Sequence, residues 1–96
     1  MLLHTVNKSP YHHNALQACA EACSADDAVI LIEDGIYGLN HPDLNSILDA
    51  GTRVFAVEAD CIARGVATKS TPQCERISYD KFVALCAEYP KQISWS

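Results

Sequence analysis

One unbroken run of apolar residues is followed directly by two carboxylates and a glycine. Residues 28–32 are apolar at every position, and Glu33, Asp34 and Gly35 come next. A strand covered on one face alternates apolar and polar residues, whereas a strand covered on both faces is apolar throughout. Because Val and Ile favour strands and Asp-Gly marks a turn, we interpret the run as a strand of a parallel sheet with helices on both sides. Ligand chemistry in such sheets gathers at the carboxyl ends of the strands, where this acidic turn lies.

The same patterning predicts further strands and helices on both sides of this run. Other strands are predicted at four places, of which the last is either a strand or a docking tail: residues 2–6, 54–57, 76–79 and 93–95. Helices are predicted where apolar residues recur at three- and four-residue spacing: from residue 10 or 14 to about 23, over 42–50, over 61–64 and over 80–88. Residues 36–40 and 66–74 are predicted as loops.

Cap residues suggest where these helices begin and end. The first helix begins either at Ser9, which Pro10 follows, or at Asn14. Gly51 and Gly65 are expected to end the second and third helices, Gly51 as a left-handed cap.

Strands that alternate with helices through short connections form βαβ units with right-handed crossovers. The predicted fold is therefore a small flavodoxin-like α/β sandwich of three layers with a mainly parallel sheet. A chain of 96 residues has room for one hydrophobic core, so residues 1–96 are expected to form a single domain.

Charge and hydropathy exclude several classes of function. The net charge of −5 and the pI of about 5.1 disfavour direct binding to nucleic acid by this chain alone. No apolar run approaches the roughly 18 residues that a membrane span needs. The first residues lack the basic start and long apolar region of a signal peptide, so we expect a cytoplasmic protein.

Five cysteines are many for a chain of this length: Cys19, Cys23, Cys61, Cys74 and Cys86. Their odd number and the absence of a CxxC pair favour reduced thiols over a disulfide framework. Cys23 and Cys86 fall on predicted core faces, where a free cysteine usually behaves as a small hydrophobe. Cys74 falls in a predicted polar loop without an evident activating group.

Cys19 and Cys61 are the two cysteines with competing interpretations. Cys19 shares a helical face with Leu16, so periodicity favours core packing. Cys61 follows the third predicted strand and opens a helical turn, where backbone N–H groups stabilise a thiolate. The neighbouring carboxylates of Glu58 and Asp60 oppose that stabilisation.

Two other groups of residues are weaker candidates for a functional site. His12, His13 and His41 with a cysteine could form a metal site, but adjacent helical histidines point about 100° apart and no zinc spacing is present. Glu33 and Asp34 could form an acid/base pair, yet consecutive strand residues point to opposite faces, which favours a simple polar strand end. We therefore predict no metal and no cofactor.

Several short motifs, considered in their order along the chain, resemble the DsrH/TusB family. They are Leu3-His4-Thr5, Ser9-Pro10, Glu33-Asp34-Gly35, Asp60 with Ala63-Arg64-Gly65, Tyr79 with Phe82-Val83, and a tryptophan near the C-terminal end. The resemblance spans nearly the whole chain and implies a DsrE/DsrF-like fold. It also implies a dimer of heterotrimers with two paralogous subunits, DsrE/TusD-like and DsrF/TusC-like, which passes persulfide sulfur between upstream and downstream carrier proteins in the cytoplasm. One branch of the family serves 2-thiouridine formation in tRNA, and the other serves dissimilatory sulfur oxidation.

The resemblance also ranks the cysteines. Cys19 matches the position at which DsrH-type members carry a cysteine and TusB-type members commonly lack one, so Cys19 is the candidate sulfur-carrying residue. Cys61 stands where family members usually have an apolar residue, and it is the lower-ranked alternative. The resemblance also implies that the principal sulfur-carrying cysteine of the complex lies on the DsrE/TusD-type subunit, which is a different chain.

Three functions are consistent with the sequence. The leading hypothesis is an accessory or sulfur-carrying subunit of a sulfur-relay complex. The alternatives are a stand-alone small enzyme that uses Cys61 or the strand-end carboxylates, and a purely structural interaction subunit.

Overall fold

The computed structural model of the protein describes residues 1–67 and 73–96. Within these residues the strands are β1 (Leu3–Val6), β2 (Ala28–Leu31), β3 (Arg53–Val57), β4 (Cys74–Ile77) and β5 (Gln92–Trp95). The α-helices are α1 (Ala15–Ala22), α2 (Asp43–Asp49), α3 (Glu58–Ala63) and α4 (Tyr79–Glu88), and a 3-10 helix covers Glu33–Asn40. None of the helices in the described ranges is long and apolar enough to cross a membrane.

The strands form one sheet in the order β4-β3-β2-β1-β5, and every neighbouring pair is parallel. All four residues of β2 are buried, because β2 has strands on both sides and helices on both faces. This placement explains the absence of polar alternation in the run that begins at Ala28. The predicted α/β sandwich with a parallel sheet is confirmed.

The two faces of the sheet are covered unequally. Helices α1, α2 and α3 and the 3-10 helix pack on one face, in a core cluster that includes Leu16, Ile36, Ile47 and Cys61. Helix α4 packs on the other face, where Leu85 contacts the cluster around Phe55. The connection from β4 to β5 therefore crosses the face opposite to the one that carries α1.

The fourth strand lies two residues earlier than the sequence predicts. The predicted strand over 76–79 is β4 over Cys74–Ile77, and Tyr79 is the first residue of α4. The strand cannot continue because the Ser78 hydroxyl accepts a hydrogen bond from the Lys81 N–H and caps the helix. The interpretation of Cys74 as a loop residue is wrong, because Cys74 is the first residue of β4 and pairs with Val54 of β3. The rest of the predicted 66–74 loop includes residues 68–72, which lie outside the described residues.

Other boundaries and assignments differ as well. The loop predicted at 36–40 is part of the 3-10 helix, and the first helix begins after Asn14, whose side chain makes no cap hydrogen bond. Helix α3 begins at Glu58, so Cys61 is its fourth residue and does not open the helix. Gly51 and Gly65 adopt the left-handed conformation expected at helix ends, with φ of 86° and 65°. The C-terminal segment is strand β5, paired with β1, and not a docking tail.

Candidate functional site

The candidate sulfur-carrying residue, Cys19, lies in the interior of the protein. Its side chain is fully buried on the inner face of α1, against the sheet. Burial raises the pKa of the Cys19 thiol to about 12, and the nearby Cys23 and Asp27 act in the same direction. The Cys19 thiol is therefore protonated at neutral pH. In the isolated chain this residue packs as a small apolar side chain.

Cys23 follows one helical turn later and is the more accessible of the two. It occupies the C-cap of α1 and is half-buried. Its Sγ lies 3.8 Å from the hydroxyl oxygen of Thr52 and 3.8 Å from the carbonyl oxygen of Ser24. Burial raises the pKa of the Cys23 thiol, although the hydrogen bond with Thr52 opposes the shift. Cys23 is therefore also protonated in the isolated chain.

The other three cysteines are protonated as well. Cys61 is fully buried within α3, and desolvation raises the pKa of its thiol although Arg76 opposes the effect. The carboxylates of Glu58 and Asp60 raise this pKa further, as their positions in the sequence predict. Cys74 and Cys86 are half-buried, and burial raises the pKa of both thiols. Helix-end stabilisation of a Cys61 thiolate is thus not realised.

A buried polar cluster lies beside Cys23, on the same face of the sheet. The ring of His4 is fully buried in β1, and its Nε2 lies 2.9 Å from Oδ2 of Asp27. Its Nδ1 accepts a hydrogen bond from the indole N–H of Trp95 at 3.0 Å. An indole can only donate, so Nδ1 must be unprotonated and Nε2 must carry the hydrogen that Asp27 accepts. The surroundings therefore fix His4 as the neutral Nε2–H tautomer.

Asp27 is held by several donors at once. Beyond His4, its carboxylate accepts the backbone N–H of Leu2 at 2.9 Å and of Ser24 at 3.0 Å. Burial alone would raise the pKa of Asp27, but the hydrogen bonds from His4 and from the two backbone N–H groups outweigh burial and lower it. The cluster ties the start of β1 to the loop before β2.

The donor set of this cluster resembles a metal site, but its protonation pattern does not fit one. Among the described residues, donor atoms of His4, Cys23 and Asp27 lie within 4.8 Å of one another. A histidine that binds a metal through Nε2 normally carries its hydrogen on Nδ1 and donates it to an acceptor. Here Nδ1 faces the N–H of Trp95, so two donors would oppose each other. Of the weaker candidates, His12 and His13 are exposed and His41 is half-buried, and none of the three belongs to this group.

The acidic turn after β2 is a structural junction. Glu33 has a positive φ of 48°, and its backbone N–H donates to Oδ2 of Asp60 at 2.9 Å. Asp34 accepts from Nε of Arg64 at 2.9 Å. A Cβ added at Gly35 would lie 2.0 Å from the carbonyl oxygen of Val6, so only glycine fits against the end of β1. Both carboxylates predicted as a possible acid/base pair thus sit in a turn that joins β1, β2 and α3.

The sequence did not identify His4, Asp27 and Trp95 as a group. Their separations of 23 and 91 residues leave no local motif. The available signal was a histidine inside a predicted buried strand, since a buried imidazole needs partners for both ring nitrogens.

Comparisons with known proteins support one family. The family model described as "DsrH like protein" matches residues 8–92. Protein TusB of Pectobacterium carotovorum is 30% identical, covering 98% of this chain and 100% of the relative. Protein TusB of Yersinia enterocolitica is 32% identical with the same coverage.

Solved structures share the fold at lower identity. The ychN protein from E. coli has a TM-score of 0.79 at 13% identity and covers 98% of this chain and 97% of its own. Protein Tm0979 from Thermotoga maritima has a TM-score of 0.68 at 23% identity, with coverage of 92% and 93%. Because the family model covers most of the chain and full-length relatives agree with it, this chain belongs to the DsrH-like family.

Proposed function

We propose that this chain is an accessory subunit of a cytoplasmic sulfur relay, in which persulfide sulfur passes from one protein to the next. The observation that carries the proposal is the DsrH-like match over residues 8–92, supported by full-length similarity to TusB proteins. In this proposal residues 1–96 form a single DsrH/TusB-like domain.

The state of the thiols favours a subunit over an independent catalyst. In a transfer step, an acceptor thiolate attacks the outer sulfur of a donor persulfide. The donor S–S bond breaks, the donor leaves as a thiolate, and the acceptor becomes the persulfide. The pKa of every cysteine in this chain is raised. Without partners the chain holds no thiolate ready for attack at neutral pH.

The proposed partners are two paralogous subunits, DsrE/TusD-like and DsrF/TusC-like, in a dimer of heterotrimers. Upstream and downstream sulfur-carrier proteins would contact that assembly. The net charge of −5 disfavours direct binding of this chain to tRNA phosphates, so we propose no direct nucleic-acid contact and no membrane contact.

Cys19 is the proposed sulfur-carrying residue, and Cys61 is the lower-ranked alternative. Both thiols are fully buried in the isolated chain. Loading of either therefore requires that a partner expose it in the assembled complex, because attack on a persulfide needs access along the S–S axis.

Two other functions are the alternatives to a sulfur-carrying subunit. A stand-alone enzyme would use Cys61 or the strand-end carboxylates, but Cys61 is buried and Asp34 is engaged with Arg64. A purely structural interaction subunit would assemble with the same partners and never carry sulfur.

Co-expression with the two paralogous subunits tests the proposal. We expect a stable hexamer by light scattering, and incubation of that complex with a persulfide donor should add sulfur to the complex by intact mass. A series of single Cys→Ser variants of this chain then separates a sulfur-carrying subunit from a structural one. A monomer that is fully active in sulfur transfer without partners would refute the proposal.

A different measurement is needed to decide whether the relay serves tRNA thiolation or sulfur oxidation. The curated relatives carry the name Protein TusB, which favours tRNA thiolation, whereas the presence of Cys19 favours the DsrH-type branch. Deletion of the gene and measurement of 2-thiouridine in bulk tRNA distinguish them, because loss of the modified base is expected for tRNA thiolation alone.

A further inference from the structure

A surface cavity of about 470 Å³ opens at the carboxyl edge of the sheet, and none of its lining residues is a cysteine. It is lined by Ser9, Tyr11, His12, Asp34 and Tyr37. The first three residues come from the connection after β1, and the last two come from the 3-10 helix after β2. The cavity therefore lies where parallel α/β sheets usually bind their ligands, and its volume is within the range of ordinary ligand sites.

Two tyrosine rings form the aromatic part of the lining. The Tyr11 side chain is 61% exposed, and its ring packs edge-on against the His41 ring with centroids 5.0 Å apart. That contact limits the positions that the Tyr11 ring can take, although most of its surface faces solvent. Tyr37 is 37% exposed. Tyrosine is one of the residue types that are enriched at protein interfaces and among the residues that contribute most to binding.

The charge of the cavity is negative. Among the described residues, the lining holds one carboxylate and no lysine or arginine. Asp34 uses Oδ1 to accept from Arg64, and its side chain is still 58% exposed. Two carboxylates lie around this guanidinium, since Arg64 also faces Asp60 at 3.7 Å. A cation is favoured here, and a phosphate would find no lysine or arginine among the lining residues.

We propose that this cavity receives an arginine side chain from a basic surface segment of a partner protein of the relay, an inference that rests on the proposed function. The guanidinium would lie against the rings of Tyr11 and Tyr37 and pair with the exposed oxygen of Asp34. A guanidinium is planar, stacks on aromatic rings and bonds carboxylates with directed N–H groups, so it matches this lining better than an ammonium does. A partner with a basic surface also complements a chain of net charge −5.

Titration of the isotope-labelled chain with short capped tripeptides tests the cavity itself. The probes are acetyl-Gly-Arg-Gly-amide, the lysine analogue, and the citrulline analogue, which keeps the shape of arginine without its charge. We expect saturable NMR shifts of the backbone amides of Tyr11, Asp34 and Tyr37 with the arginine peptide, at a dissociation constant of about 1 mM. The lysine peptide should bind more weakly, and the citrulline peptide should produce no saturable shift.

Matched variants then connect the cavity to the partner. Asp34→Asn removes the carboxylate in the lining, whereas Glu33→Gln removes the neighbouring carboxylate outside it. We expect Asp34→Asn to weaken arginine-peptide binding about tenfold and Glu33→Gln to change it less than about twofold. Tyr37→Leu provides a second test that leaves the pair of Asp34 with Arg64 in place, and it should also weaken binding.

The same variants in the co-expressed complex decide whether the arginine comes from a partner. Asp34→Asn should weaken association with one partner protein, and Glu33→Gln should not. Absence of saturable shifts at the cavity overturns the inference while leaving the sulfur-relay proposal intact. Peptide binding with unchanged association of Asp34→Asn overturns the assignment to a partner. Failure of the wild-type chain to associate with any relay protein refutes the proposed function instead.

Discussion

The indole N–H of Trp95 donates a hydrogen bond to Nδ1 of His4 across 3.0 Å and joins the last strand of the chain to the first. The two rings are also nearly parallel, with centroids 6.1 Å apart and an angle of 17° between their planes. Because β5 is an edge strand with a single neighbour in the sheet, this bond adds a side-chain attachment to a strand that is otherwise held mainly by backbone pairing. It also selects the tautomer with which His4 binds Asp27.

Removal of this single donor should destabilise the protein. Trp95→Phe keeps an aromatic ring but leaves the fully buried Nδ1 of His4 without its hydrogen bond. We expect the free energy of unfolding to fall by about 1–3 kcal/mol in a denaturant titration. Tyr79→Phe is the control, since it removes a hydroxyl from a residue that is 60% exposed and should change stability by less than about 0.5 kcal/mol. Equal losses in the two variants would contradict the prediction.

The lowered pKa of Asp27 predicts a loss of stability in acid. A carboxyl group whose pKa is lower in the folded protein than in the unfolded chain binds protons more readily when unfolded. Its stabilising contribution is therefore complete above the unfolded pKa of about 3.9 and is lost as pH falls through the lower folded value. The difference in unfolding free energy between wild type and Asp27→Asn should be largest near neutral pH and should shrink below about pH 4.

The neighbouring Asp26 offers a matched control for that measurement. Asp26 is exposed, whereas Asp27 is buried. The Asp26→Asn difference should be small at neutral pH and nearly constant across the same range. If the difference for Asp27→Asn is equally constant with pH, the Asp27 carboxylate does not cause the predicted loss of stability in acid.

The contact between Gly35 and Val6 predicts a steric requirement in the acidic turn. Gly35→Ala would place Cβ 2.0 Å from a backbone oxygen, and a backbone atom cannot rotate away as a side chain can. We expect a loss of at least about 3 kcal/mol in the free energy of unfolding. Gly65→Ala is the comparison, because Gly65 has a φ of 65° with nothing within 4 Å, and the strain alone should cost about 1–2 kcal/mol. Similar costs at the two positions would argue against the close approach at Gly35.

The strands at the centre of the sheet could be predicted from the sequence, and the edge strands only in part. Strand β2 is buried on both faces, so the five-residue apolar run that contains it, residues 28–32, is a strong local signal. Strand β4 has one neighbour, and its first three residues are half-buried, so charged Glu75 and Arg76 obscure its limits. Hydrophobic patterning reports burial, and it is weakest where a strand is half exposed.

The candidate sites were harder to predict than the fold because they depend on contacts between distant residues. The pairing of His4 with Trp95 spans 91 residues, and the cavity combines the connection after β1 with the 3-10 helix after β2. Periodicity did place Cys19 on the inner face of its helix, and the structure agrees. Helix-end chemistry at Cys61 failed because the helix begins three residues earlier than predicted.

The most demanding prediction concerns Cys19. In the isolated chain we expect Cys19 to react with a thiol reagent more slowly than Cys23, because Cys19 is fully buried with a pKa of about 12 and Cys23 is half-buried. Peptide mapping after a timed pulse of iodoacetamide measures both rates in one sample. Cys19→Ser should cost roughly 1–3 kcal/mol of stability, since it places a hydroxyl in an apolar site. Faster labelling of Cys19 than of Cys23 would show that α1 opens without a partner.

The assembled complex then separates packing from sulfur transfer at Cys19. If Cys19 carries sulfur, Cys19→Ser in the co-expressed complex should abolish the addition of one sulfur atom to this chain after treatment with a persulfide donor, while the complex stays assembled. Cys61→Ser is the control, because Cys61 is equally buried but lies in a different helix. Loading that is unchanged by Cys19→Ser would leave Cys19 with a packing role alone. If Cys61→Ser abolishes loading and Cys19→Ser leaves it unchanged, Cys61 in α3 is the residue that carries sulfur. A partner would then expose α3, and the match of Cys19 to the DsrH-type position would have indicated the wrong cysteine.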